Sequence, residues 1–224
     1  QIEMNLQEKI KYSLKDRSIL YSFPRIDKMV LINFFEPKRT PKNVNFFFYP
    51  IRKEISSLKQ KEKDFFLVYF SENELEKIMP VLKHFREKKF VVFSGKKLHT
   101  QENIEVRPLE KQEFARLFSE CKGVLSHAGI TVISEAVFLH KPLYLFTKKS
   151  FFERHYNSKV VMEKNFGYAE STPTISGLNH YFSNLDSYKK SIRSAGFVPQ
   201  SKKMTKHVLK LVKSIAKPAL GKAF

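Results

Sequence analysis

Short apolar runs alternate with segments of helical spacing along most of the chain. Phe65-Phe66-Leu67-Val68-Tyr69-Phe70 is apolar throughout, which is the pattern of a strand covered on both faces. Ser71 and Glu74 then form a capping box for a helix expected to reach about Lys88. Phe90-Val91-Val92-Phe93 and Ile104-Glu105-Val106-Arg107 read as the next strands, followed by a helix from about Lys111 to Cys121. A strand starting at Gly123, a helix after Gly129, a strand from Pro142 and a helix from about Phe151 to Lys164 continue the series. Regular alternation of this kind predicts an α/β fold: a Rossmann-like, mostly parallel sheet with helices on both faces.

The two ends read differently. Ile2 to Lys15 has mixed helical spacing, Asp27 to Phe34 and Val44 to Tyr49 look like strands, and Ile51 to Lys63 fits a linker or a short helix. Two strands and a helix are too little for an independent α/β domain, so residues 1–60 are expected to be the tail of a preceding domain plus a linker. Residues 61–196 then form the Rossmann-like domain, with one helix over Asn179 to Ser194, and 197–224 a basic terminal helix. In that helix Met204, Val208, Leu211 and Ile215 share one face among lysines. Such a helix suits either packing on its own protein or an anionic membrane surface.

Composition narrows the classes. The chain has 224 residues, 42% hydrophobic, with 22 Phe, which is enough for a sizeable core. A net charge of +19 calls for an anionic partner: nucleotide phosphates, acidic lipid or nucleic acid. The recognition signatures of nucleic-acid binders are absent, so that partner is not expected. Cys121 is the single cysteine, which suits a reducing compartment and a cytoplasmic location, with attachment to the inner face of the plasma membrane as an extension. No apolar run approaches the roughly 18 residues of a membrane span. The chain begins at Gln1 rather than Met, and further sequence is expected upstream.

Candidate chemistry gathers around Gly123 to Ala136, where an apolar run ends in His127-Ala128-Gly129 and a helical pattern starts with Ile130 and Thr131. Gly129 has no Cβ and admits a close ligand. The first amides of the helix would face outward at the positive end of its dipole, where phosphate binds well. Glu135 lies about one and a half turns further on, where a carboxylate can accept both hydroxyls of a ribose. The same residues also fit an ordinary strand-to-helix turn with a surface glutamate. Ligands on open parallel sheets bind at the carboxyl ends of the strands, and every candidate sits at one of those ends.

Four phrases taken together carry a resemblance. H-A-G-x-x-x-x-S-E-A from His127, K-P-L from Lys141, F-E-x-x-x-N from Phe152 and K-x-x-G-Y from Lys164 resemble the nucleotide-sugar site in the C-terminal domain of GT-B glycosyltransferases. The closest likeness is to the family 28 group, which includes the lipid-linked N-acetylglucosaminyltransferase of peptidoglycan synthesis. Asn43 to Arg52, with its Tyr49-Pro50-Ile51-Arg52, is similar to the interdomain crossing of those enzymes.

The resemblance implies roles. His127, Ala128, Gly129, Ile130 and Thr131 would hold the donor diphosphate, helped by Ser94, Gly95 and Lys96 of the second loop. Glu135 would hold ribose, and the loop of Arg107 and Leu109 would hold the base through backbone groups. Glu153, Arg154 and Asn157 would lie at the donor sugar, with Asn157 more a support than a ligand. Arg154 stands where relatives carry Gln, and Phe70-Ser71-Glu72-Asn73 replaces their glycine-rich first loop. The implied reaction is inverting transfer from a nucleotide-sugar, with uridine as the base, to a glycan or lipid-linked acceptor at the membrane or cell envelope. No cofactor and no metal are expected. The general base would come from the N-terminal domain or a partner subunit, so this chain would be the donor-binding half. A separate donor-binding subunit, a nucleotide-sugar epimerase and a nucleic-acid-binding protein are the alternatives.

Overall fold

A computed structural model describes residues 28–37, 39–96, 102–146 and 152–220. The expected helix over Ile2 to Lys15 lies outside them. Eight strands occur among the described residues: β1 (Met29–Asn33), β2 (Val44–Phe48), β3 (Phe66–Tyr69), β4 (Phe90–Phe93), β5 (Ile104–Arg107), β6 (Gly123–Ser126), β7 (Leu143–Phe146) and β8 (Gly167–Glu170). The helices are α1 (Lys53–Ser56), α2 (Glu72–Leu82), α3 (Lys111–Glu120), α4 (Ile130–Phe138), α5 (Phe152–Glu163), α6 (Ile175–Ser183), α7 (Leu185–Ser194) and α8 (Ser201–Leu220).

Six strands form one sheet in the order β5-β4-β3-β6-β7-β8, and every neighbouring pair is parallel. The chain starts at β3 in the middle, winds out to β5, then crosses to β6 and winds out the other way. The reversal between β3 and β6 is the topological switch point, where sheets of this kind open a crevice at the carboxyl ends of the strands.

Strand side chains point alternately to opposite faces, and the cores divide accordingly. Leu67, Val91, Phe93, Val124, Leu143 and Leu145 join one core with α3, α4 and α5. Phe66, Val68, Phe90, Val92, Leu125, Tyr144 and Phe146 join the other, with α2 and α6. Each fully buried Leu, Val or Phe contributes about 1.5–3 kcal/mol, so two covered faces suffice to order the sheet.

β1 and β2 make a separate two-stranded parallel sheet. The segment that follows is packed firmly. Ile51 and Ile55 are buried in the core beneath α3 and α4. Lys141, itself buried, donates to the Lys61 carbonyl at 2.9 Å. Ile51 and Ile55 therefore anchor the segment to the six-stranded sheet's core, while most of 51–63 stays exposed, with one short helix, α1. The early strands also meet the end of the chain, through Phe47 and His207 (5.3 Å between rings) and Phe48 and Phe197 (5.0 Å).

Three local expectations are corrected. α2 stops at Leu82, not near Lys88, and its end tightens into three-residue turns (His84 N–H to the Val81 carbonyl, Phe85 N–H to that of Leu82) that bury Phe85. Asn179 to Ser194 is not one helix, because α6 and α7 meet at Asn184, whose backbone leaves helical geometry. The sheet gains β8, which no apolar run announced. A Cβ at Gly167 would stand 1.8 Å from the Leu143 carbonyl oxygen, so the glycine permits that strand pairing.

Candidate functional site

The carboxyl ends of β3 and β6 bring Tyr69 and His127 to the switch point, with their rings 6.1 Å apart. A cavity of roughly 410 Å³ opens there, lined by Arg52, Tyr69, Leu109, Lys111, Phe114, His127, Gly129, Thr131 and Val132. Its mixed aromatic wall and few polar groups match the usual make-up of a small-molecule site.

Gly129 is the residue that starts α4, in extended geometry (φ −76°, ψ 134°). The first intrahelical bond runs from Ile133 N–H to the Gly129 carbonyl at 3.1 Å, so the amides of Ile130, Thr131 and Val132 precede the ladder. A Cβ on Gly129 would come within 3.1 Å of His127 Nε2. The glycine therefore lets imidazole and helix start lie side by side. Ala128 is buried, and its carbonyl accepts from the buried Asn157 Nδ2 at 3.0 Å, which ties the turn to α5.

His127 Nδ1 is buried with no hydrogen-bond partner. Burial, and secondarily the Arg154 cation, hold the His127 pKa below its usual value, against a smaller opposing pull from Glu74. Nε2, the ring nitrogen on the Gly129 side, is the one that can donate to, or accept a proton from, a phosphate oxygen at the helix start. Thr131 Oγ1 is already paired with the Tyr49 hydroxyl at 2.9 Å.

Glu135 departs from the expected picture of a free acid in the cleft. Its side chain is 0% exposed, and both oxygens are taken by Arg52, Nε to Oε1 at 2.6 Å and Nη2 to Oε2 at 2.7 Å. That pairing holds the guanidinium's proton even more firmly than usual. A ribose entering the cavity would meet Arg52 before Glu135.

The second loop also differs from expectation. Glu72, at the start of α2, accepts from the Ser94 hydroxyl at 2.9 Å and from the Gly95 amide at 2.8 Å. The Lys96 amide turns back to Ser94 Oγ at 3.0 Å, and its ammonium stands 4.0 Å from Glu76 at the exposed surface. The donors expected to meet a phosphate here are bound to a carboxylate of the chain itself.

Arg107 pairs with Glu105 and, at 3.8 Å, with Glu113, and its buried Nε has no partner. Leu109 lines the cavity rim. Glu153 is exposed on α5, and Arg154 lies 3.6 Å from Glu74. None of Glu153, Arg154 and Asn157 is among the residues that line the switch-point cavity.

Four lining residues had no role assigned from the sequence: Arg52, Tyr69, Lys111 and Phe114. Tyr69 ends a strand recognised as buried, and Lys111 and Phe114 are three apart on one helix face. Those positions were readable. The approach of Arg52 from far upstream was not.

Residues 2–212 match a family model described as glycosyl transferase family 1. No curated protein matches the chain. Among solved structures, the calicheamicin glycosyltransferase CalG4 aligns at TM-score 0.58 and 14% identity, over 97% of this chain and 58% of that one. The spinosyn forosaminyltransferase SpnP aligns at TM-score 0.55 and 10% identity, over 92% and 62%. Os79 from O. sativa, in complex with UDP, aligns at TM-score 0.52 and 16% identity, over 68% and 41%. The chain thus spans about half the length of these relatives, which share its GT-B fold. The family matched is family 1, and nothing in the match singles out the family 28 group. Because that match runs over most of its length, the chain belongs to glycosyl transferase family 1.

Proposed function

We propose that this chain carries the donor-binding half of an inverting glycosyltransferase that uses a UDP-sugar and delivers to a membrane-associated glycan acceptor. The observation that carries the reading is the cavity at the switch point. A glycine there starts α4, and the His127 imidazole lies beside it with Nε2 on the glycine's side. In the reaction an acceptor oxygen bonds to the anomeric carbon while the carbon–oxygen bond to the diphosphate breaks, and the electron pair leaves with UDP. The chain's task is to hold the departing diphosphate. Amides at the start of α4 and the His127 imidazole supply donors fixed in place before charge develops.

Uridine as the base is supported by the UDP held in the Os79 structure on the same fold. The membrane-associated acceptor is supported by α8. That helix exposes Val208, Leu209 and Val212 beside Lys202, Lys203, Lys206, Lys210 and Lys213, a face suited to anionic lipid. Among the described residues no helix is long and apolar enough to cross a membrane.

Calorimetric titration with UDP, GDP and TDP tests the reading. UDP is expected to bind most tightly, and binding is expected to vanish when the start of α4 is blocked. A chain that binds no nucleoside diphosphate would overturn the assignment.

A further inference from the structure

We propose that the cavity between the two-stranded sheet and α7 is a second binding site, separate from the donor cavity, which takes an anionic amphiphile: a phosphate or carboxylate head on an apolar body. The inference stands on its own observations and does not need the donor-site reading.

The cavity measures roughly 460 Å³ and shares no lining residue with the one at the switch point. It also lies toward the opposite edge of the sheet. Its Phe166 stands before the amino end of β8, whereas the donor cavity opens at the carboxyl ends of β3 and β6. Four phenylalanines wall it: Phe34 and Phe35 just after β1, Phe48 at the end of β2, and Phe166. Phe34 and Phe166 are buried, while Phe35 and Phe48 are half-buried and leave ring surface toward the open space. An apolar body that covered those rings would remove apolar surface from water on both sides of the contact.

The polar side of the cavity is cationic. Lys164 and Lys190 line it, both exposed, and among the described residues neither has a carboxylate within ion-pair distance. A single fastening brings them to one place. Asn165, next to Lys164, adopts left-handed backbone (φ 54°), which asparagine tolerates. Its Nδ2 donates at 2.8 Å to Oγ of Ser191, the neighbour of Lys190, and at 2.9 Å to Ser187 Oγ. Two ammoniums gathered at one cavity repel each other unless an anion joins them. Glu36 is the one acid in the lining and pairs with neither, and Lys189 gives its own charge to Glu62 at 2.6 Å. The surroundings strengthen the field, since Ser187 to Phe224 holds no Asp or Glu against ten Lys and Arg.

Lysines alone would suit a bare anion, and phenylalanines alone a neutral apolar molecule. Their meeting in one cavity selects a ligand with both parts. Because the walls come from β1 and β2 on one side and from α7 on the other, the bound molecule would touch both and fasten the two-stranded sheet to the six-stranded domain.

Calorimetric titration of the whole chain with octyl phosphate, octanol and inorganic phosphate tests the proposal. Octyl phosphate is expected to bind, with octanol and inorganic phosphate each about 30-fold weaker or more, since each lacks one half of what the cavity recognises. Lys164→Gln combined with Lys190→Gln should weaken octyl phosphate about 30-fold and leave UDP unchanged. Ser194→Trp puts a bulky ring at the cavity from an exposed position whose hydroxyl bonds only the Lys190 carbonyl of its own helix, at 3.0 Å. That variant should fold, bind UDP and lose octyl phosphate. Dihexanoyl phosphatidic acid separates the sources: tighter binding than octyl phosphate marks a lipid headgroup, weaker binding a free single-chain acid. Octyl phosphate that binds no better than octanol or inorganic phosphate, or that binds undiminished in both variants, would overturn the proposal. So would competition between octyl phosphate and UDP. A chain that binds UDP and ignores octyl phosphate loses this site alone, and one that binds octyl phosphate and ignores UDP loses only the donor-site reading.

Discussion

Two turns in this sheet look alike in sequence and differ in what they offer. His127-Ala128-Gly129 and Ser94-Gly95-Lys96 each follow a buried strand, and each contains a glycine and polar donors. At the first, the glycine starts α4, the amides of Ile130, Thr131 and Val132 precede the helical ladder, and a cavity lies in front. At the second, Glu72 reaches across from α2 and satisfies both the Ser94 hydroxyl and the Gly95 amide. An anion site is thus defined by donors left unsatisfied, because a donor already bound to the chain's own carboxylate must lose that bond before it can take a phosphate.

The contrast is tested most severely at Gly129. Gly129→Asp places a carboxylate at a helix N-cap, where it bonds the very amides a phosphate would need. UDP affinity should fall by about 100-fold or more, close to 3 kcal/mol. The melting temperature should change little, since the roughly 1 kcal/mol an N-cap aspartate contributes is offset by its Cβ pressing on His127, 3.1 Å away. A variant that kept its affinity would place the phosphate elsewhere. His127→Ala removes one donor and leaves the helix start intact, so a smaller loss of about tenfold in titration is expected.

How much of this was readable before the structure depends on the reach of each interaction. Strands β3, β4, β6 and β7 were legible because a strand covered on both faces must be apolar at every position, as Phe-Val-Val-Phe is. β8 was not, because Gly-Tyr-Ala-Glu lies at the sheet's edge, mostly half-buried, and carries a single large side chain. The break at Asn184 was hidden because both α6 and α7 have helical spacing. His127 and Gly129 were visible since the turn and the helix start are contiguous. The Arg52–Glu135 pair spans 83 residues, and the Glu72–Ser94 pair spans 22. Local pattern fixes which residues end a strand, whereas tertiary packing decides which of them are already occupied.

Removing the occupant of the second turn sharpens the comparison from its other side. Glu72→Ala strips the acceptor from Ser94, which is nearly buried, and from the Gly95 amide. Losing these bonds should lower stability by about 1–3 kcal/mol in a denaturant titration. UDP affinity should move less than about twofold, well under 1 kcal/mol. A tenfold gain in affinity would show instead that Glu72 masks a latent phosphate site, and the two turns would be equivalent after all.

The smallest expected effect is also the most diagnostic of His127. Burial and the Arg154 cation hold its pKa below the value in an unfolded chain. Its neutral form therefore contributes stability that is fully present above the unfolded pKa and is lost as pH falls through the folded one. Ligand binding runs the other way. A bound diphosphate favours the imidazolium, so binding takes up protons, and UDP affinity should rise a few-fold from about pH 7.5 to about pH 6. Arg154→Gln removes the cation that depresses His127 and should move this rise toward higher pH. Titrations in buffers of different ionisation enthalpy would count the protons taken up. An affinity flat across that range, in wild type and variant alike, would mean that the imidazole faces the cavity without touching the phosphates, leaving the amides of α4 as the donors that distinguish this turn from the one at Ser94.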